Sequence, residues 1–223
     1  MNKIKMSFLV VLSATFIFTG CASWNKTQKG AVVGTAAGGA AGAVIGRASG
    51  NTALGAIIGA AAGGATGAVI GRQMDKQAEE IAKTVPDAKV KRVGEGIIVE
   101  FSSNILFGFD ESSLSNEAKS NLDKLVDVLN SYPDTDIEVQ GHTDSKGSES
   151  YNRTLAEQRA GTVSAYLSRH GIAYQRLNIK SFGETSPKYE NNTADGRTQN
   201  RRVEFLITAN EKMKVEAEKI ALN

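Results

Sequence analysis

The stretch from Gly30 to Arg72 holds an 18-residue phrase twice with four substitutions: GAVVGTAAGGAAGAVIGR from Gly30 and GAIIGAAAGGATGAVIGR from Gly55, an offset of 25 residues. Glycine falls at every fourth position, at Gly30, Gly34, Gly38, Gly42 and Gly46, then at Gly55, Gly59, Gly63, Gly67 and Gly71. That spacing sets each row on one helix face. In water such rows would not hold a helix, because each glycine costs about 1 kcal/mol relative to Ala. They work where helices meet backbone to backbone in hydrocarbon. At ~1.5 Å per residue each copy is about 27 Å long, close to the bilayer core. Neither copy carries a charge before Arg47 or Arg72, and Ser49-Gly50-Asn51 is turn chemistry. The pattern predicts a membrane-associated or self-associating helical hairpin over residues 30–72, the segment with any transmembrane helix character, and leaves homo-oligomerisation open. The strict period and duplication argue against a flexible linker.

Residues 1–20 have the order of a secretory signal: a basic start with Lys3 and Lys5, an apolar run from Met6 to Phe18, then Thr19-Gly20 before Cys21. The apolar run is short for a spanning anchor, which needs ~20 residues. Phe18-Thr19-Gly20-Cys21 resembles a bacterial lipobox, with Phe18 where that pattern usually has Leu. The resemblance implies that Cys21 becomes the lipidated first residue, carrying a covalent lipid such as palmitate. Several acyl chains there would anchor the chain stably, at ~0.8 kcal/mol per buried methylene. Ala22 follows the cysteine, and resemblance to the lipoprotein sorting pattern then implies the outer membrane. Residues 21–29 read as a lipidated tether.

The formal charge is +2, from 26 basic and 24 acidic residues, and two of the lysines lie in the segment expected to be removed. A basic nucleic-acid-binding surface is not supported. One cysteine excludes an intrachain disulfide, and with two histidines it gives no zinc set. No cofactor is expected.

Residues 73–94 carry Met74, Ala78, Ile81, Ala82 and Val85 at helical spacing and read as an amphipathic connector that continues the second glycine helix and is stopped by Pro86-Asp87. The C-terminal domain is placed at residues 95–210, with 211–223 as a polar tail. Gly96 to Phe101 alternates as a strand, and Ser115 caps a helix with Ala118, Leu122, Leu125, Val126 and Leu129 on one stripe. Ile137, Val139 and Gly141 form the next strand, Glu149 to Arg169 a helix closed by His170-Gly171, Leu177 to Phe182 a third strand, and Val203, Phe205 and Ile207 a fourth. The order β-α-β-α-β-β predicts an α+β domain, a mixed sheet with helices on one side.

Gly141-His142-Thr143-Asp144 with Gly147, then Asn152, Leu155 and Arg159-Ala160, then Gly196-Arg197-x-x-Asn200-Arg201-Arg202-Val203-Glu204-Phe205, form one ordered series. It resembles the C-terminal domain family of OmpA, which includes Pal and the periplasmic domain of MotB, and covers about Gly96 to Thr208. Lipobox, doubled glycine zipper and this domain together resemble the outer-membrane lipoproteins of YiaD type. The resemblance implies an OmpA-like fold and non-covalent binding of peptidoglycan through the diaminopimelate of the stem peptide. It further implies a tether between outer membrane and cell wall, serving envelope integrity from the periplasmic side.

The residues allow that chemistry on their own terms. Diaminopimelate presents an ammonium and a carboxylate on one carbon. Asp144, at a strand end, can accept from the ammonium, and Arg159, fifteen residues on, can fork onto the carboxylate. Asp144 and Arg159 could equally form an ion pair that only holds loop to helix. Leu155 gives the arginine a partly apolar face, Thr143 offers one hydroxyl, and Asn152 opens the helix as a loop-ordering residue. Phe109-Asp110 matches the family's Phe-Asp loop near the ligand, or a core Phe beside a capping Asp. Arg201 and Arg202 start the last strand and point to opposite faces, so one lies near the pocket and the other near solvent or Glu204, and the sequence leaves open which is which. His142, with no second ligand near it, reads as scaffold rather than base or metal site.

Catalysis finds little support. A hydrolase needs a nucleophile–base pair, a zinc site or two placed carboxylates, and the cysteine is taken by the anchor. A stator-like channel would carry an acidic residue in its membrane segment, and residues 30–71 have none. The alternative that stands is an oligomeric envelope-assembly component built through the glycine hairpins, with wall binding as its anchor.

Overall fold

The structure, a computed structural model, describes residues 65–108 and 111–222. Cys21, the glycine repeat up to Gly64, and Phe109 and Asp110 lie outside the described residues.

The described chain runs α1 (Ala65–Thr84), β1 (Lys89–Val93), β2 (Gly96–Ser102), α2 (Ser103–Leu106), α3 (Asn116–Ser131), β3 (Thr135–His142), α4 (Glu149–Arg169), a 3₁₀ turn (Tyr174–Arg176), β4 (Leu177–Gly183), α5 (Ala194–Asn200), β5 (Arg202–Ala209) and α6 (Glu211–Leu222). The sheet order is β1-β2-β5-β3-β4. Only β3 and β4 are parallel, so the sheet is mixed, as the α+β reading expected.

Strand parity splits the sheet chemically. One face carries Ile97, Val99, Phe101, Ile137, Val139, Val203, Phe205 and Ile207, and these join the buried side chains of α1, α3 and α4 in one apolar core. Phe101 and Phe205 meet edge to face across β2 and β5, with ring centres 5.7 Å apart. Ser115 caps α3 by accepting from the Ala118 N–H at 2.9 Å, and Ser148 caps α4 through the Tyr151 N–H at 3.2 Å. The opposite face carries Glu100, Gln140, His142, Arg202 and Glu204, all buried.

Elements on both sides of residues 95–210 pack against the sheet and its helices. Helix α1 passes through the 72/73 boundary without a break and buries Ile70, Met74 and Ile81 completely. Each such side chain contributes roughly 1.5–3 kcal/mol on burial. β1 adds a fifth strand at the sheet edge, where exposed Lys89 and Lys91 and half-buried Arg92 hid the alternation in sequence. The tail is a helix as well: α6 packs on α1 and buries Met213 and Ala217, too few apolar residues to announce a stripe. Among the described residues no helix is long and apolar enough to cross a membrane.

The ends of β2 and β3 and the start of β5 share one end of the sheet, through Ser102↔Arg202 and His142↔Arg202. The early part of α1 lies at the other end: Arg92, close to the β1–β2 turn, bonds Asp75 at 2.7 Å and the Gly71 carbonyl at 3.5 Å. The chain therefore enters the domain opposite the end where Asp144 sits.

Candidate binding site at the strand ends

Glycine at 141 sets the distance between β3 and α4. A Cβ there would lie 2.1 Å from the Ala156 carbonyl oxygen, a backbone atom of α4. Without a side chain, β3 runs directly beneath the helix. The following residues then leave the sheet, where the pairing with β4 slips between Gly141 and His142. The Thr143 N–H donates to the Gly183 carbonyl at 2.9 Å, and Gly183 takes φ +53° to allow it. Asp144 is thus delivered beside the face of α4 that carries Asn152, Leu155 and Arg159. The resulting cleft of about 240 Å³ is lined by these residues and Thr143, and also by Ser103, Asn104, Lys146, Arg197 and Arg201.

The two principal charges sit in it on separate supports. Asp144 is 6 % exposed. Its Oδ1 accepts from the Lys146 N–H at 2.9 Å, and its Oδ2 takes Arg201 Nη1 at 2.6 Å. Arg159 is 4 % exposed. Its Nε donates to the Glu111 carbonyl at 2.9 Å, and the guanidinium stands 5.2 Å above the Phe107 ring. The pairing foreseen as an alternative, Asp144 with Arg159, is not the one formed: Arg201 holds Asp144. Asn152 orders the loop by donating to the Lys146 carbonyl at 3.0 Å and to Glu184, while lining the cleft. Thr143 Oγ1 and Ser103 Oγ are both buried with no hydrogen-bond partner among the described residues, and both residues line the cleft.

Parity decides between the two arginines. Arg201 precedes β5 and turns into the cleft, its Nη2 also held by Thr198 Oγ1 at 2.9 Å. Arg202, grouped with the site in sequence, instead lies on the opposite sheet face. It meets Glu204 Oε1 at 2.5 Å and the carbonyls of Asn200 and Ser186 at 3.2 Å each. Glu204 also reaches Lys188 at 2.9 Å. Asn200 anchors this corner through the N–H groups of Lys188 and Tyr189, at 2.9 and 3.0 Å. Phe109 and Asp110 fall outside the described residues. Sequence reasoning passed over Ser103, Asn104, Lys146 and Arg197, although Arg197 stands inside the Gly196-Arg197 motif.

His142 lies under the polar face, stacked on Phe182 at 5.0 Å and 3.8 Å from Glu204. Burial, then the neighbouring Arg202, pushes its pKa down to about 3 from an ordinary 6.5. It is neutral at physiological pH and belongs to the scaffold. The unfolded chain takes up the proton that the folded one refuses, so stability falls as the pH drops from about 6.5 towards 3. His142→Phe is expected to flatten urea midpoints between pH 6.5 and 4.5, and an unchanged slope would refute this account.

Comparison with known proteins agrees with this architecture. Residues 106–201 match the OmpA family, and residues 1–75 match the YMGG-like Gly-zipper family. The probable lipoprotein YiaD of Escherichia coli K12 is 34% identical over 119 residues, 53% of this chain and 54% of that protein. The outer-membrane lipoprotein YfiB of Pseudomonas aeruginosa is 31% identical over 137 residues, 61% of this chain and 81% of that protein. The peptidoglycan-associated lipoprotein of Legionella pneumophila is 34% identical over 104 residues, 47% of this chain and 59% of that protein. Of some more identical relatives the chain spans only 16% or 33% of the length. A MotB-like protein of Desulfovibrio vulgaris shares the fold, with a TM-score of 0.58 at 22% identity over 63% of this chain and 93% of that one. The alignment with YfiB, the family match over the strand-end cleft and the zipper ahead of it lead to one assignment: the chain belongs to the OmpA family.

Proposed function

We propose that this chain is an outer-membrane lipoprotein, lipidated on Cys21, that binds peptidoglycan non-covalently through the diaminopimelate of the stem peptide. In this reading it ties the outer membrane to the cell wall from the periplasm. The part of the glycine repeat ahead of Ala65 rests in or on the membrane beside the lipid anchor, while its last residues belong to α1 and put Ile70 in the domain core.

The observation that carries the reading is the cleft itself: a buried carboxylate and a buried guanidinium on separate supports, with two hydroxyls between the same walls that have no partner among the described residues. A carboxylate offers about four lone-pair positions. Asp144 spends two, on Arg201 and on the Lys146 N–H, and keeps the others for a ligand ammonium. Arg159 is oriented by the Glu111 carbonyl and the Phe107 ring, which sets the plane in which it meets a carboxylate. Thr143 and Ser103 supply hydroxyls that a polar ligand would satisfy. The site is low in dielectric and fixed before binding, so little is lost to ordering. The grip is reversible and involves no bond making.

The placement of the entry point supports the tether. The chain comes in at the end of the sheet opposite the cleft, so a membrane anchor upstream of Ala65 leaves the cleft turned outward. The names of the relatives, two of them lipoproteins of the outer membrane or of peptidoglycan, agree with such a placement.

Purified sacculi test the reading. Asp144→Ala and Arg159→Ala are each expected to cut the retained fraction about tenfold, the loss of one charge-assisted contact in a buried site. Retention equal to wild type in both folded variants would dismiss the cleft as the binding site.

A further inference from the structure

Four cationic side chains line the cleft: Lys146, Arg159, Arg197 and Arg201. Asp144 is the single carboxylate in the described lining, and one of its oxygens already takes Arg201. Lys146 and Arg197 form no salt bridge with any described residue. Arg197 is nevertheless built into place. Thr193 caps α5 by accepting from the Gly196 N–H at 3.0 Å. Gly196 is pressed against the Glu190 carbonyl, where a Cβ would lie 2.1 Å from the oxygen. The Arg197 Nη1 donates to the Asn191 carbonyl at 2.8 Å, and the Arg201 N–H closes the helix on the Arg197 carbonyl at 3.1 Å. A half-buried guanidinium held by one carbonyl is still a full positive charge, and a second cation lines the same cleft.

We infer that Arg197 and Lys146 form a second anion subsite, which reads a second carboxylate on the ligand and makes the cleft selective for a dicarboxylate end. This rests on the diaminopimelate reading and sharpens it. One carboxylate, with its ammonium, goes to Arg159 and Asp144. The other, free only where the stem peptide ends at diaminopimelate, goes to Arg197 and Lys146. Stems that end there would bind more tightly than stems in which that carboxyl is an amide. The buried hydroxyls of Ser103 and Thr143 are independent marks that polar ligand atoms reach the same walls.

The probes are two synthetic stem tripeptides ending in diaminopimelate, identical except that the C-terminal carboxylate of one is a carboxamide. The zwitterionic centre is intact in both. Titration calorimetry on the full chain is expected to give about tenfold tighter binding of the free acid, the worth of one charge-assisted contact at a partly exposed site. In Arg197→Gln that preference should fall to about twofold, Arg197→Lys should restore most of it, and Lys146→Gln, on an exposed residue, should reduce it without touching α5. Equal binding of both peptides by wild type, or an unchanged ratio in Arg197→Gln and Lys146→Gln, overturns the second subsite and leaves the peptidoglycan reading standing. Failure of wild type to bind either peptide overturns that reading, and the subsite with it.

Discussion

Glu204→Ala is expected to lower the unfolding free energy by about 3–5 kcal/mol, seen as a fall in the urea midpoint at pH 7. The substitution leaves Arg202, 1 % exposed, without its carboxylate. Lys188 would keep a partner in Glu100 at 2.7 Å, so the cost concentrates on the arginine. A buried pair is costly to halve and cheap to replace. Arg202→Met with Glu204→Leu should therefore recover most of the loss. If the double variant is as unstable as the single one, the network contributes through geometry rather than through charge. The same pair sets an acid limit. Burial opposes the charge on Glu204, but Arg202, His142 and Lys188 outweigh it and pull its pKa down to about 2. A depressed carboxyl stabilises the folded chain above its unfolded value near 4.5, and that contribution is lost as the pH falls from there towards 2.

Gly141→Ala should be the most damaging small change in the binding motif. The added methyl meets the Ala156 carbonyl oxygen at 2.1 Å and its carbon at 2.7 Å. Both are backbone atoms, so α4 must lift from β3 at a cost of about 3 kcal/mol. Because Asp144 follows β3 and Arg159 rides on α4, the same movement pulls the two charges apart. Melting temperature and sacculus retention should both drop, the second even at temperatures where the variant is folded. Gly161→Ala is the matched control on the same helix: a Cβ there has nothing within 4 Å, and relief of glycine's helix penalty predicts a gain of up to ~1 kcal/mol with binding intact. Normal retention by folded Gly141→Ala would show that the spacing of β3 and α4 does not govern the cleft.

Much of the fold was legible because it follows from local periodicity. The stripe Ala118–Leu122–Leu125–Leu129 and the alternations of β2, β3 and β5 bury what their spacing said they would. The ends of the domain were not legible. β1 and α6 are edge elements that meet the core through one or two apolar residues each, too few to make a period.

The candidate site divides along the same line. Sequence by itself determined which residue types converge, since Asp144, Thr143, Asn152, Leu155 and Arg159 sit at a strand end and on one face of the helix that follows, and the structure puts all five around one cleft. What only the tertiary structure decided is who pairs with whom. Arg201 takes Asp144, Arg159 is held by a carbonyl and a ring, and Arg202 leaves the site for Glu204, because a one-residue step at the start of β5 sends neighbouring side chains to opposite faces. Ser103 joins the cleft through a contact far apart in sequence, its N–H donating to the Arg201 carbonyl at 2.9 Å, and Lys146 through the turn in which its N–H meets Asp144. Arg197 does so through the packing of Gly196 on the Glu190 carbonyl, a close approach of backbone to backbone that hydrophobic periodicity does not report.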